Sequence, residues 1–215
     1  MTSGILNVLK PCGMTSHDVV GFLRRTLQTK KIGHGGTLDP DAAGVLPVFI
    51  GTATRLLEYA VEGRKNYRAE LKFGIKTDTG DDSGTIIASS EVRVVTEAEI
   101  QETLQKFIGE QKQIPPMYSA LKVNGKKLYE LARAGKEVER QARHVDLPAI
   151  EILEIKFPVV KFRVECSKGT YIRSLCADIG EKLRCGGTMQ SLVRTRVGEF
   201  RLADALTLAQ LQELR

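Results

Sequence analysis

Gly33-His34-Gly35-Gly36-Thr37-Leu38-Asp39-Pro40-Asp41-Ala42-Ala43-Gly44-Val45-Leu46-Pro47 is the stretch that organises the chain. Four glycines and two prolines fall within these fifteen residues. That density of breakers argues against a helix or a long strand and predicts a tight, defined loop. Gly35-Gly36 permits positive φ and lets another surface approach closely. Pro40 biases Asp39 toward extended backbone. A carboxylate fixed in this way beside close-approach glycines suits a nucleophile or a base. The same Asp-Pro pair also opens turns, so a turn-capping role stays open.

Upstream, Lys10-Pro11-Cys12-Gly13-Met14-Thr15-Ser16 predicts a turn into a helix capped by Ser16. Val19, Val20, Leu23 and Leu27 recur at helical spacing, and Arg24, Arg25, Lys30 and Lys31 lead from that helix into the loop. Downstream, a short helix is expected over residues 52–60. Tyr67, Ala69, Leu71 and Phe73 then alternate with charged residues, the period of a strand with one buried face. Residues 77–84 read as a polar turn, 85–88 and 91–95 as strands, and Thr96-Glu97-Ala98-Glu99 as a capping box opening a helix. Two strand candidates flank Pro158, and Ser167-Lys168-Gly169-Thr170 turns into a helix with Ile172, Leu175, Cys176, Ile179 and Leu183 on its apolar stripe. Tyr171 and Arg173 fall in its first turn, and residues 194–200 and 206–214 read as strand plus helix. Runs of strands with a few inserted helices predict an α+β fold with a mixed sheet.

The 215 residues are 42% apolar and 27% charged, with a net charge of +6, ordinary for a globular chain with a polyanionic partner. No apolar run reaches the length of a membrane span, and the N-terminus lacks the basic-then-apolar pattern of a secretory signal. A cytoplasmic protein without membrane contact is therefore expected. Cys12, Cys166, Cys176 and Cys185 show no C-x-x-C spacing and do not cluster with the three histidines, so no zinc motif is present. Residues 111–145 hold eight Lys or Arg against three Glu, a net +5 that is nearly the whole excess of the protein. With a hairpin signal at Val123-Asn124-Gly125-Lys126, they read as a basic projection suited to nucleic acid.

Six motifs in order resemble one family, the TruB-type tRNA pseudouridine synthases. They are Lys10-Pro11-x-Gly-x-Thr-Ser, the loop from Gly33 to Pro47, Lys65-x-Tyr67, Thr77-Asp78-Thr79-x-Asp81-x-x-Gly84, residues 115–122 (PPMYSALK), and Gly169-Thr170-Tyr171-Ile172-Arg173. The resemblance covers nearly the whole chain. It implies a largely antiparallel mixed sheet with flanking helices across residues 1–215, with 111–145 as an inserted RNA-gripping thumb. The implied reaction turns uridine-55 in the T-arm stem-loop of tRNA into pseudouridine, without cofactor or metal, by a monomer. Carried over by position, Asp39 is the catalytic aspartate, Tyr67 stacks on the target base, and Arg173 pairs with the aspartate. Tyr171 and Leu192 line the pocket, His34 displaces the target base, and Lys122, Lys126 and Lys127 contact RNA from the thumb. Two departures stand out. Gly35 replaces a common Thr after the loop His, and the further RNA-binding domain usual in the family is not expected within these residues. Two rivals follow from the residues themselves: a noncatalytic tRNA-binding module using the same basic surface, and a hydrolase pairing Asp39 with Asp41 or Asp81.

Overall fold

The computed structural model describes residues 3–89 and 95–213, with Ala60 and Val61 by backbone only. The elements run β1 (Gly4–Lys10), α1 (Ser16–Thr26), β2 (Ile32–His34), β3 (Ala43–Ile50), a 3-10 turn (Gly51–Leu56), α2 (Leu57–Glu62), β4 (Lys65–Phe73), β5 (Ile75–Thr77), β6 (Ile86–Ser89) and α3 (Glu97–Gln105). There follow β7 (Gly109–Gln113), β8 (Lys122–Val123), β9 (Lys126–Lys127), α4 (Leu128–Arg133), β10 (Arg143–Leu147), β11 (Ala149–Lys156), β12 (Val159–Cys166), α5 (Ile172–Lys182), β13 (Gly187–Val197), β14 (Phe200–Arg201), a 3-10 turn (Leu202–Asp204) and α6 (Leu208–Gln212). In hydrogen-bonded order the main strands run β1-β3-β13-β4-β12-β11, with β2 on β3 and β14 on β13. The pairing is mixed: β1 and β2 run antiparallel to β3, and β13 runs parallel to it.

The chain divides into two compact units. One comprises Met1–Arg68, Glu165–Lys168 and Leu192–Arg215. Its core joins Val8 of β1 and Leu46, Val48 and Ile50 of β3 to Val19, Val20 and Leu23 of α1 and Leu211 of α6. These are the apolar positions of the helical and strand periods, so the pattern that forms each element also supplies its buried face. The N-cap of α1 lies one residue before the expected one. Thr15 is the N-cap, in a reciprocal box with Asp18, and Ser16 is buried instead.

The other unit comprises Ala69–Val164 and Gly169–Ser191. Strand β4 alternates as its sequence predicts, with Lys65, Tyr67, Ala69, Leu71 and Phe73 all buried. Helix α3 begins at the expected capping box, Thr96 with Glu99. The 123–126 signal forms the β8–β9 hairpin, with Asn124 and Gly125 both at positive φ, as a two-residue turn of that type requires. The thumb residues leave by β7 and return by β10, which pair antiparallel from Gly109–Leu147 to Gln113–Arg143. The strand expected at residues 91–95 lies, apart from Val95, outside the described residues.

The opening stretch itself is only partly loop. Its irregular part is residues 35–42, because β2 takes in His34 and β3 begins at Ala43. Gly44 and Pro47 sit inside a strand, each for a reason. Gly44, at φ 118°, lets backbone pass where a Cβ would stand 2.2 Å from the Arg194 carbonyl oxygen. Pro47 lacks a donor but its carbonyl accepts from Gly35 N at 2.8 Å, so the strand closes the loop through its acceptor side.

Candidate active site

In the first unit the loop bearing Asp39 is anchored at several points. Asp39 opens a β-turn, its carbonyl accepting from Ala42 N at 3.1 Å with Pro40 in the second position. The backbone makes the turn that Asp-Pro predicts and leaves the carboxylate half-buried. Leu38, just before it, is fixed from both sides by Ser16. The Ser16 hydroxyl accepts from Leu38 N at 2.9 Å and donates to Leu38 O at 3.2 Å. Beyond Asp39, Gly13 N donates to Pro40 O at 2.9 Å.

Two buried cations complete the anchoring. Lys10 is 0% exposed, and its ammonium donates to the carbonyls of Pro11 (2.9 Å), Pro40 (3.0 Å) and Ala42 (2.6 Å). Burial lowers its pKa, while electrostatic interactions, those with the Asp39 and Asp41 carboxylates among them, act in the opposite direction. Arg194 of β13 is 1% exposed and donates to Val45 O (2.8 Å), Gly36 O (3.0 Å) and Thr37 O (3.3 Å). The sequence pattern assigns neither residue a role. Arg194 is detectable as a charged residue in phase with Leu192, two positions earlier on the same buried face of one strand.

His34, Tyr67 and Leu192 lie in this unit with Asp39. Tyr67 is buried, and burial pushes its phenol pKa up; the Arg194 cation and its hydrogen-bonding contact pull it back, and Asp39 raises it further. The hydroxyl is therefore protonated at neutral pH and acts as a donor. Its response to Asp39 places the carboxylate within its electrostatic reach. His34 is half-buried, with its pKa lowered by burial and then by Arg194 and His17, so the ring is held in its neutral form. Leu192 is buried on the face that carries Arg194.

Tyr171, Arg173, Lys122, Lys126 and Lys127 lie in the other unit. Arg173, in the first turn of α5, is 5% exposed. It donates to Thr79 O (2.8 Å) and Tyr118 O (2.7 Å), and its Nε stands 3.6 Å from the Asp81 carboxylate. It thereby ties the polar 77–84 turn to the base of the thumb. Asp81 also accepts from the hydroxyls of Thr79 (2.7 Å) and Ser83 (2.6 Å). A carboxylate committed to closing its own turn does not serve as half of a hydrolytic pair. The Gln113 side chain holds Tyr171 by both backbone groups, accepting from its N at 2.7 Å and donating to its O at 3.0 Å. In the thumb, Lys122 and Lys126 are exposed, and Lys127 is half-buried, donating to the Tyr129 hydroxyl at 3.2 Å.

Comparison with known proteins places the chain in a family. Residues 24–172 match the TruB family pseudouridylate synthase N-terminal domain, and residues 173–215 match the tRNA pseudouridylate synthase B C-terminal domain. The chain is 57% identical over 212 residues to the tRNA pseudouridine synthase B of Alkaliphilus oremlandii (strain OhILAs), covering 99% of this chain and 71% of that protein. Among solved structures, it is similar to a Cbf5-Nop10-Gar1 complex at TM-score 0.78 and 36% identity, covering 98% of this chain and 54% of that one. A second is an H/ACA RNP bound to a substrate RNA containing 2'-deoxyuridine, at TM-score 0.74 and 33% identity, covering 98% of this chain and 52% of that one. The chain thus spans about half the length of the matched chains in those two complexes. Matched by family over residues 24–215 and 57% identical to a curated relative over 212 residues, the chain belongs to the TruB family of pseudouridylate synthases.

Proposed function

We propose that the chain converts uridine-55 in the T arm of tRNA to pseudouridine, with Asp39 as the carboxylate that the chemistry requires. One observation carries this reading. Asp39 sits in a turn held by Lys10 from one side and Ser16 from the other, within the field of a buried, protonated Tyr67 hydroxyl. So much anchoring around one half-buried carboxylate exceeds what a turn cap needs. A relative named as a tRNA pseudouridine synthase supports the substrate class.

The reaction conserves every atom. The N1–C1′ bond of uridine breaks, the uracil turns, and C5 bonds to C1′. The C5 proton leaves and N1 ends protonated. No co-reactant is consumed. The target base is stacked in the RNA and must be extruded, at a cost of about a few kcal/mol. Phosphate contacts from the exposed thumb cations offset this cost, as does stacking on Tyr67, worth about 1–3 kcal/mol. A neutral His34 ring suits wedging into the space the base leaves, since it enters without a charge to desolvate. Asp39 works in its ionised form.

Asp39→Asn tests this reading on a T-arm stem-loop. It keeps the side-chain shape and removes the charge. Pseudouridine formation is expected to fall to background while thermal unfolding and stem-loop affinity stay near those of the parent chain. Substantial turnover by the folded variant would sink the assignment, and loss of folding would return Asp39 to the role of a turn cap. A parent chain that binds the stem-loop but never forms pseudouridine would favour the noncatalytic binding module.

A further inference from the structure

Arg194 is placed to do more than fill space. Three of its five N–H donors reach both arms of the loop: Gly36 and Thr37 before Asp39, and Val45 after it. The distance across a loop of this kind is set by whatever joins its arms, and here one planar, rigid fork joins them. The backbone of Arg194 is equally committed. It pairs with Gly44 across the parallel β3–β13 step, at a separation that leaves no room for a side chain. Arg194 and Asp39 also act on the same two groups, the Lys10 ammonium and the Tyr67 hydroxyl.

We infer that Arg194 is a positioning residue for the reaction, fixing the Asp39 loop and the Tyr67 hydroxyl in one relation to each other. It touches neither nucleotide nor phosphate in this role, because the side chain is 1% exposed and turned to main-chain carbonyls of the loop. The inference rests on the pseudouridylation reading, so its test includes a measurement that needs no turnover.

The experiment compares Arg194→Met and Arg194→Lys with the parent chain. With the methionine variant, kcat on a T-arm stem-loop is expected to fall about 100-fold, the loss that a misplacement of about 1 Å brings. KM should stay within threefold. In the RNA-free protein the Tyr67 phenol, followed by carbon-13 tyrosine NMR and assigned with Tyr67→Phe, should titrate at higher pH, since the cation lowering it is gone. The lysine variant restores the charge but cannot bridge Gly36 and Val45 with one ammonium. It should recover most of the Tyr67 titration and only a minor part of kcat. If the methionine variant fails to fold, the lysine variant decides by the same readings. A kcat within threefold of the parent in a folded variant would overturn the inference. So would a loss appearing wholly in KM, which would make Arg194 an RNA contact. An unmoved Tyr67 titration in Arg194→Met would overturn the link to Tyr67. A parent chain without activity would sink the pseudouridylation reading instead, leaving the titration to judge Arg194.

Discussion

Lys10 and Arg194 are fully buried and each donates to three backbone carbonyls. In residues 111–145, by contrast, six of the eight cations are exposed, all but Lys127 and Arg140. The two regions hold the same residue types for opposite ends. Removing an ammonium or guanidinium from water costs several kcal/mol, and hydrogen bonds to the charged group return about 1.5–3 kcal/mol each. Such a group gains little net stability and a great deal of geometry. An exposed cation orders almost nothing, but it meets phosphate without giving up a fold contact, and the counterions released there are a binding term. The loop cations therefore set positions and the thumb cations set affinity.

The sharpest way to break this contrast is to push the loop away from its cation. In Gly44→Ala the new Cβ would stand 2.2 Å from Arg194 O and 2.7 Å from Arg194 N, on a residue at φ 118°. Both atoms are backbone, so neither can rotate aside. A destabilisation of about 4 kcal/mol or more is expected, in the range reserved for severe steric and strain effects. Thermal and urea unfolding measure it. A melting temperature within a degree or two of the parent would mean that the β3–β13 step relaxes easily and that the loop is not rigidly held.

The same contrast explains what is legible in the sequence. The thumb can be read there because its signal is composition, a local excess of charge that needs no tertiary context. Strand β4 can be read because its buried face alternates without interruption. The loop's breakers announce the turn at Asp39 but hide β3, since Gly44 and Pro47 count against a strand in any local rule. Their justification lies in Arg194 and Gly35, and Arg194 is far away along the chain. Ser16 looks like a cap and is instead a clamp on Leu38; Thr15 takes the cap because its box partner Asp18 lies at the right spacing. Lys10 is visible only as part of a motif. Its role emerges from three carbonyls, two of them beyond Asp39, that no local pattern brings together.

Neutralising thumb charge should have a smaller and different effect. In a chain carrying Lys122→Gln, Lys126→Gln and Lys127→Gln together, folding should be little changed, because two of the three ammonium groups are exposed. Stem-loop affinity should fall, and the slope of log affinity against log salt should flatten by about two to three, roughly one for each phosphate no longer neutralised. Turnover at saturating RNA should hold. An unchanged slope with a reduced kcat would reverse the proposed division, giving the thumb a positioning role like that of the loop cations.

The smallest effect concerns a carboxylate on the exposed side of α5. Asp178 on α5 is exposed, yet partial desolvation of its carboxyl first, then the negative Glu181, pushes its pKa up from 3.8 to about 6. Glu181 faces Lys76 at 4.0 Å, and both side chains are exposed, so that pair does little to relieve Asp178. A carboxyl whose pKa is raised on folding holds its proton better in the folded state. Its contribution to stability is full below about pH 4 and is lost as the pH rises through about 6. Asp178→Asn mimics the protonated form at every pH. Because solvent screens an exposed carboxylate, it should raise the melting temperature by only about a degree or two at pH 7.5 and leave it unchanged at pH 4, with turnover unaffected. Equal melting temperatures at both pH values would show that solvent screens Asp178 completely. A drop at pH 7.5 would show that its charge, like those of Lys10 and Arg194, is held in place by the fold.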